Sequence, residues 1–170
     1  MAAGNYTINT TPGETVAREL LLCFLNTGTE SAPVWSVMGK RVEDSSTEYD
    51  WQSEIKHDIL GQVYGSLKKP VITQSFEPCE LDAGDAAQQL IWKLAVVEQN
   101  NQKLANMDLL IVHAYAGFGE RYKSCVVQVT GEGGAGGDNI GMPVAVTFGG
   151  ERIKGAATVA KGVVTFTPET

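Results

Sequence analysis

Residues 85–101 read DAAQQLIWKLAVVEQNN, and this stretch decides the fold class because it carries the clearest helical pattern in the chain. Its apolar side chains recur at intervals of three and four residues, namely Ala87, Leu90, Ile91, Leu94 and Val97. Asp85 is a suitable N-cap, and Asn100 stands near the end of the pattern. We therefore expect one amphipathic helix whose apolar stripe covers one side of a sheet.

The segments on both sides of this helix have the patterns of β-strands. They are ARELLLCFLNTG (17–28), APVWSVMGKRV (32–42), PVITQSFEP (70–78), MDLLIVHAYAG (107–117), ERYKSCVVQVT (120–130), MPVAVTFGGERIKGAAT (142–158) and GVVTFTP (162–168). The first run is also compatible with a short helix, because periodicity cannot separate the two over so few residues, but a strand is favoured. The pattern predicts a mostly β (α+β) architecture with one flanking helix.

Composition sets the class of protein. The chain has 170 residues, 43% of them hydrophobic and 19% charged, which suits one globular domain with a sizeable core. Thirteen Lys and Arg stand against twenty Asp and Glu, so the net charge of −7 argues against binding to nucleic acid, which requires clustered cations. The N-terminus has no basic start followed by an apolar stretch, and no run approaches the roughly 20 apolar residues of a membrane span. We expect a protein made in the cytoplasm.

The glycine-rich run VTGEGGAGGDNIGMP (129–143) contains the spacing of a dinucleotide-binding fingerprint. The three glycines are Gly131, Gly133 and Gly136. The fingerprint requires a helix after the glycines, whereas the residues from Val144 to Phe148 alternate as a strand does. No Gly-Lys-Ser/Thr closes a P-loop either. The run predicts a flexible strand connection that tolerates serine at Gly133 and Gly134.

Side chains with reactive or ligating chemistry do not form a recognisable site. Cys23, Cys79 and Cys125 are odd in number and widely spaced, which favours reduced core thiols over disulfides or a CxxC metal site. His57 and His113 fall on separate strands without metal-ligand spacing, and His113 is expected to be a hydrogen-bonded histidine of the sheet. The acids at positions 43, 44, 48 and 50 lack the order of a calcium loop and fit a solvated face. The sequence thus predicts no catalytic, cofactor-binding or metal-binding residues, and no enzyme.

A connection of unusual length spans residues 42–70. From Glu48 to Asp58 its even positions are charged or polar, and the odd positions are Tyr49, Trp51, Ser53, Ile55 and His57. This alternation predicts a two-faced extended ribbon within a long projecting loop, 42–70, whose apolar face needs a partner. Residues 1–13, polar and threonine-rich, are expected to form a loose N-terminal arm.

The order of these elements carries a family resemblance. The segments concerned are WSVMGKRVEDSS (35–46), ILGQVYGSLKKPVITQSFEP (59–78), LDAGDAAQQLIWKL (81–94) and MPVAVTFGGERIKGAATV (142–159). Together they resemble the major tail (tail tube) protein of long-tailed bacteriophages, with the injection-tube protein of a contractile machine as the nearest variant. The resemblance spans nearly the whole chain.

The resemblance implies a fold, a role and a set of partners. The fold would be a β-sandwich or barrel of two antiparallel sheets with one packed α-helix, in a single tail-tube domain over residues 1–170. Six-fold rings of this structural, non-enzymatic subunit would stack into a hollow tube around the tape-measure protein and conduct DNA during ejection, without specific DNA binding, cofactor or membrane. Further partners would be tail terminator and baseplate or tip proteins, and the location would be the virion, assembled in the host bacterial cytoplasm.

The long connection is then the expected contact between rings. Its candidate contact residues are Tyr49, Trp51, Ile55, His57 and Ile59. A second hypothesis from another class is a soluble β-sandwich binding module that uses loops 42–70 and 131–141 for a protein or a small ligand.

Overall fold

Twelve β-strands and two short helices make up the computed structural model, which describes residues 4–169. The strands are β1 (Leu21–Asn26), β2 (Trp35–Met38), β3 (Val42–Asp44), β4 (Thr47–Asp50), β5 (Glu54–His57), β6 (Val63–Ser66), β7 (Val71–Cys79), β8 (Met107–His113), β9 (Phe118–Val129), β10 (Val144–Phe148), β11 (Arg152–Ala160) and β12 (Val163–Pro168). The helices are α1 (Ala86–Trp92) and α2 (Asn101–Leu104), with a π-helical turn (Lys93–Val97) between them.

Strand β9 joins two curled antiparallel sheets. The first sheet has the order β2-β1-β8-β9-β11-β12, and the second has β9-β10-β7, with β3 and β4 both paired to the far side of β7. On one side of β9, residues 118–122 pair with β11 and residues 126–129 pair with β10. The strand is long enough to leave one partner for the other, so it belongs to both sheets. The predicted mostly β fold of antiparallel sheets with a packed helix is confirmed.

The core lies between the two sheets and α1. Its fully buried members include Leu25, Ile91, Leu109, Ile111, Cys125, Val127, Met142 and Val146. A second cluster on the opposite face of the first sheet contains Phe24, Leu110 and Val112, covered by β11 and β12. Strands β1 and β8 are therefore buried on both faces, and this is why their sequences are continuous apolar runs without a visible period of two.

Helix α1 begins where the sequence predicts it. The Asp85 Oδ1 atom accepts hydrogen bonds from the backbone N–H groups of Ala87 (2.9 Å) and Gln88 (3.2 Å), which confirms the N-cap. Ile91 and Leu94 are buried against the sheets, as the apolar stripe requires.

The second half of the helical segment departs from the expected regular helix. After Trp92 the backbone widens into the π-helical turn, which is closed by a hydrogen bond from the Glu98 N–H to the Lys93 carbonyl (2.9 Å). The additional residue in this turn rotates Val97 outward, so Val97 is 59% exposed and does not belong to the buried stripe. Asn100 does not end this helix but caps α2, where its side chain accepts from the Lys103 N–H.

The connection 42–70 is partly built into the body. Strands β3 and β4 pair with opposite ends of β7, so residues 42–50 complete the second sheet. The expected continuous ribbon from Glu48 to Asp58 is interrupted after β4, where Gln52 has a positive φ of 44° and its N–H is held by the Asp50 carboxylate (3.1 Å). The part outside the body is the separate hairpin of β5 and β6.

The two chain ends meet beside the β8–β9 turn. The Glu169 carboxylate accepts from the Gly4 N–H (3.1 Å) and from the Tyr6 hydroxyl (2.7 Å). The Tyr6 ring lies 4.7 Å from that of Phe118, between centroids, and the Asn9 N–H donates to the Tyr115 carbonyl (2.8 Å). The described part of the expected arm, residues 4–13, contains no helix or strand but is attached to the body at these points, while residues 1–3 lie outside the described residues.

The glycine-rich run connects β9 to β10 without a helix, as expected. Gly133 and Gly141 exchange two backbone hydrogen bonds, of 3.0 and 2.7 Å, which close the loop on itself. A Cβ atom at Gly134 would lie 2.6 Å from the Asn139 carbonyl oxygen, and Gly133 has a φ of 151°. The expectation that both positions tolerate serine is therefore wrong, because the closed loop leaves no room for a side chain at Gly134.

Candidate assembly surfaces

The polar cluster around His113 lies at the junction of β8, β9 and β11. The histidine Nδ1 lies 2.9 Å from the Tyr115 hydroxyl, and its Nε2 lies 3.1 Å from the Glu120 carboxylate, which confirms the expected hydrogen-bonded histidine of the sheet. The same carboxylate accepts from the Tyr122 hydroxyl (2.8 Å) and from the Arg152 Nε (2.5 Å). Each side chain of the cluster thus hydrogen-bonds to another member of the cluster, as a buried polar network requires.

These contacts set the charge state of the buried acid. Burial of Glu120 acts to raise the pKa of its carboxyl, but hydrogen bonds from His113, Arg152 and Tyr122 outweigh burial and lower that pKa to about 2. Burial and the hydrogen bond to Glu120 raise the pKa of Tyr122. The cluster thus holds an ionised carboxylate through hydrogen bonds with three side chains.

The three cysteines are free and buried, as expected. Burial raises the pKa of each thiol, that of Cys125 to about 12, so none is held as a reactive thiolate. Over residues 4–169, no three His, Cys, Asp or Glu side chains are grouped so that they could hold a metal ion. Within the same residues, no helix has the length and apolar character needed to cross a membrane.

The β5–β6 hairpin carries the three most exposed large apolar side chains of the described residues, Ile59, Leu60 and Ile55. Within the described residues 4–169, the hydrogen bonds of residues 53–67 stay inside the hairpin, and a bond from the Lys68 N–H to the Trp51 carbonyl (3.2 Å) closes its neck. Ile55 and His57 on β5 share one face with Val63 on β6, because directly paired residues point to the same side.

The structure separates the five residues expected at the ring contact. Ile55, His57 and Ile59 lie on the hairpin, whereas Tyr49 pairs with Ile72 inside the second sheet. Trp51 stands at the neck between these two regions.

The hairpin also exposes four apolar residues that the sequence reasoning missed, namely Leu60, Val63, Tyr64 and Leu67. The alternating pattern ends at Asp58, so it does not predict the return strand β6. Gly61, which takes a φ of 76° in the turn, is the signal that could have predicted it.

The hairpin tip is a tightly bonded turn. The Asp58 Oδ1 atom accepts from the N–H groups of Leu60 (2.9 Å) and Gln62 (2.8 Å), and the Gln62 carbonyl accepts from the Asp58 N–H (3.0 Å). This turn holds the two aliphatic side chains, Ile59 and Leu60, away from the protein, and Ile59 is fully exposed. The tip is therefore a small, preorganised apolar projection.

An apolar groove of about 550 Å³ lies beside α1. Its walls come from the segment after β7 and from the outer side of the helix, and they include Leu81, Ala83, Gln89, Trp92, Lys93 and Val97. The Trp92 Nε1–H donates to the Glu132 carboxylate (2.9 Å), which fixes the indole on the groove wall. We call this feature the α1 groove.

The hairpin and the α1 groove lie beyond opposite ends of β7. Strand β4 pairs with residues 71–74 and runs antiparallel to β7, so the chain leaves the body past Val71 to form the hairpin. The groove begins at Leu81, just after the other end of β7, where the Leu81 N–H binds the Ile140 carbonyl (2.9 Å). The glycine-rich loop is also at this second end, so the hairpin and loop 131–141 do not converge on one ligand site.

These features define a class of fold: two curled antiparallel sheets joined through one long strand and covered by a helix are the tail-tube-like β fold found in contractile injection systems. A chain of the sheath–tube complex of the extracellular contractile injection system PVC, in its extended state, is similar with a TM-score of 0.53 and 8% identity, over 85% of this chain and 94% of that one. The PVC sheath/tube terminator gives a TM-score of 0.51 and 9% identity, over 86% of this chain and 100% of that one. The tube-terminating cap of the anti-feeding prophage gives a TM-score of 0.50 and 12% identity, over 87% of this chain and 95% of that one.

No protein-family model and no curated protein sequence matches this chain. At identities of 8 to 12%, the similarity is one of fold. The three structures belong to contractile injection systems, so the finer resemblance to long-tailed phages stays a prediction.

Proposed function

We propose that this chain is a structural, non-enzymatic subunit of a tail tube. In this role six copies form a ring, and rings stack into a hollow tube around a tape-measure protein. The observation that carries the proposal is the hairpin, which projects apolar side chains from a body whose own core is already complete. The tail-tube-like fold supports it independently.

The physical reason is the cost of exposing apolar surface. Ile55, Ile59 and Val63 on a narrow hairpin cannot pack on their own subunit, and contiguous apolar surface of this kind marks interaction sites in soluble proteins. In a stacked assembly, a second copy of the chain covers them through a different surface patch. Such a heterologous contact repeats from subunit to subunit, as a stacked assembly requires.

The charge of the chain fits a conduit for DNA. With a net charge of −7 the subunit offers no overall attraction to phosphates, so DNA would pass through the lumen during ejection without specific binding. Terminator and baseplate or tip proteins would close the two ends of the tube, and the assembled location is the virion.

A second candidate function is that of a tube terminator or cap. Two of the three similar structures are a sheath/tube terminator and a tube-terminating cap, and the first of these is covered over 100% of its length. A terminator would form rings and bind one end of an existing tube, but it would not extend into tubes of its own.

Negative-stain microscopy of the concentrated protein tests the proposal. Wild-type protein should form tubes of stacked rings, whereas replacing residues 53–67 by a short Gly-Ser linker should leave a folded subunit that cannot extend them. The circular dichroism spectrum of this variant should remain that of a β protein, because β3 and β4, which pair with β7, are retained.

A matched pair of variants on the hairpin separates its two faces. Ile55→Ala with Ile59→Ala should weaken tube formation, while Glu54→Ala with Lys56→Ala, which removes an exposed ion pair of 2.9 Å, should leave it intact. Full-length tubes from the shortened variant would contradict the role of the hairpin. Wild-type rings that never extend would favour the terminator instead.

A further inference from the structure

The π-helical turn gives the α1 groove its apolar wall. In a regular helix Val97 would continue the buried stripe of Ile91 and Leu94, but the additional residue of the turn directs it to solvent beside Trp92. Turns of this kind interrupt the regular hydrogen bonding of a helix and occur frequently at functional sites. The outward valine and the fixed indole together form a surface suited to receive an apolar group.

The hairpin tip has the matching shape and chemistry. It presents two aliphatic side chains, Ile59 and Leu60, on a turn held by four hydrogen bonds, so little entropy is lost when the tip docks. The tip carries one carboxylate, Asp58. The groove carries the ammonium of Lys93, whose side chain is 65% exposed and lies 3.6 Å from Glu98, and the carboxylate of Asp82, which is already paired with Lys40 (2.8 Å) and Arg41 (3.3 Å). Apolar and charged groups are therefore complementary between the two surfaces.

The position of the two surfaces decides which copy of the tip can fill the groove. They lie beyond opposite ends of β7, a nine-residue strand that spans roughly 25 to 30 Å at about 3.3 Å per residue. Because the hairpin leaves the body at one end of β7 and the groove begins after the other end, the proposal assigns the tip that fills a groove to another copy. A tip from another copy approaches the groove head to tail.

We propose that the α1 groove of one subunit is the docking site for the Ile59–Leu60 hairpin tip of a subunit in the next ring. The proposal rests on the tube function proposed above and names the surface that receives the hairpin. The contact is heterologous, so every subunit both inserts a tip and receives one, and the junction propagates along the stack.

Cysteine cross-linking between two single-cysteine variants tests the docking directly. Ile59→Cys is prepared with an affinity tag and Val97→Cys without one, so a mixed dimer differs in size from either homodimer. Both positions are exposed, and the three natural cysteines are buried, so the introduced thiols are the accessible ones. The two proteins are mixed, viewed by negative-stain microscopy, oxidised, and separated on a non-reducing gel.

The expected result is a mixed disulfide dimer between Ile59→Cys and Val97→Cys. Its yield should be at least tenfold higher than that of the mixed dimer in a control mixture of Ile59→Cys with Val163→Cys. Val163 is also exposed and apolar but lies at the start of β12. A disulfide requires Cβ atoms only about 4 Å apart, so random surface collisions form it poorly. Tubes without an excess of the mixed dimer would overturn the docking and leave the tube function standing. Absence of both rings and tubes, with no mixed dimer, would overturn both proposals.

Discussion

Glu120 shows how a single residue can link neighbouring strands of the first sheet. Its carboxylate binds His113 from β8, Tyr122 from its own strand and Arg152 from β11, so one buried charge connects three neighbouring strands. The Arg152 guanidinium also lies 5.7 Å from the centre of the Phe118 ring, which extends the cluster to the β8–β9 turn. Removing one partner would leave this buried charge with only two of its three hydrogen-bonding side chains.

The stability of the protein should fall in acid because of this carboxylate. The folded-state pKa of Glu120 is about 2 against an ordinary value of 4.5, so the unfolded chain binds the proton first as the pH falls. The contribution of Glu120 is fully present above pH 4.5 and is lost as the pH falls towards 2. Chemical denaturation at several pH values measures the free energy of unfolding of wild type and of Glu120→Gln. Wild type should be the more stable at pH 7, and this difference in free energy should become smaller as the pH falls from 4.5 towards 2.

The matched control is Glu43→Gln, since Glu43 is exposed and takes no part in the cluster. A gap between wild type and Glu120→Gln that stays constant from pH 7 to pH 2 would show that the carboxylate is not held ionised by its partners.

Residue type alone was enough to predict some of these details. Buried cysteines and a hydrogen-bonded His113 follow from the apolar runs around them. The partners of Glu120 could not be predicted, because they depend on the register of β8 and β11 against β9, which local sequence does not contain.

At the scale of elements, the helical segment shows where periodicity succeeds and where it fails. Asp85 and the buried Ile91 and Leu94 follow from capping and spacing. The π-helical turn adds one residue to the helical segment, and no feature of the local sequence predicts it. The spacing therefore places Val97 on the buried face, whereas the structure exposes it. The prediction of one continuous ribbon over residues 48–58 is wrong for a similar reason. Alternation of side chains does not show that β4 pairs with β7 in the body while β5 pairs with β6.

Two truncations within this segment should differ sharply in stability. Leu94→Ala should lower the free energy of unfolding by about 2 to 5 kcal/mol, because the side chain is buried in the core and leaves a cavity. Val97→Ala should change it by less than about 0.5 kcal/mol, as expected for an exposed position. Urea denaturation followed by fluorescence measures both, and equal losses would place Val97 in the core.

At the scale of the whole molecule, the subunit has two different ends. The hairpin leaves past the first residues of β7, and the α1 groove begins after its last. Two variants, each defective at one of these ends, should therefore assemble differently when they are mixed than when each is alone. The hairpin-shortened variant lacks the tip but keeps the groove, and Val97→Glu keeps the tip but places a carboxylate in the groove, where it opposes both Ile59 and Asp58.

Neither variant should extend tubes alone, because each lacks one side of the proposed head-to-tail junction. When the two are mixed as separately purified assemblies, tips from the Val97→Glu protein should dock into intact grooves of the shortened protein. After two rings have joined in this way, their outer faces no longer offer an intact tip together with an intact groove. The mixture should therefore give stacked pairs of rings and no tubes. Sedimentation velocity and negative-stain microscopy would detect the pairs, with Val163→Glu in place of Val97→Glu as the control that extends normally by itself. Mixtures that form no pairs would mean that the tip and the groove belong to different contacts, and long tubes in the mixture would mean that stacking does not depend on either of them.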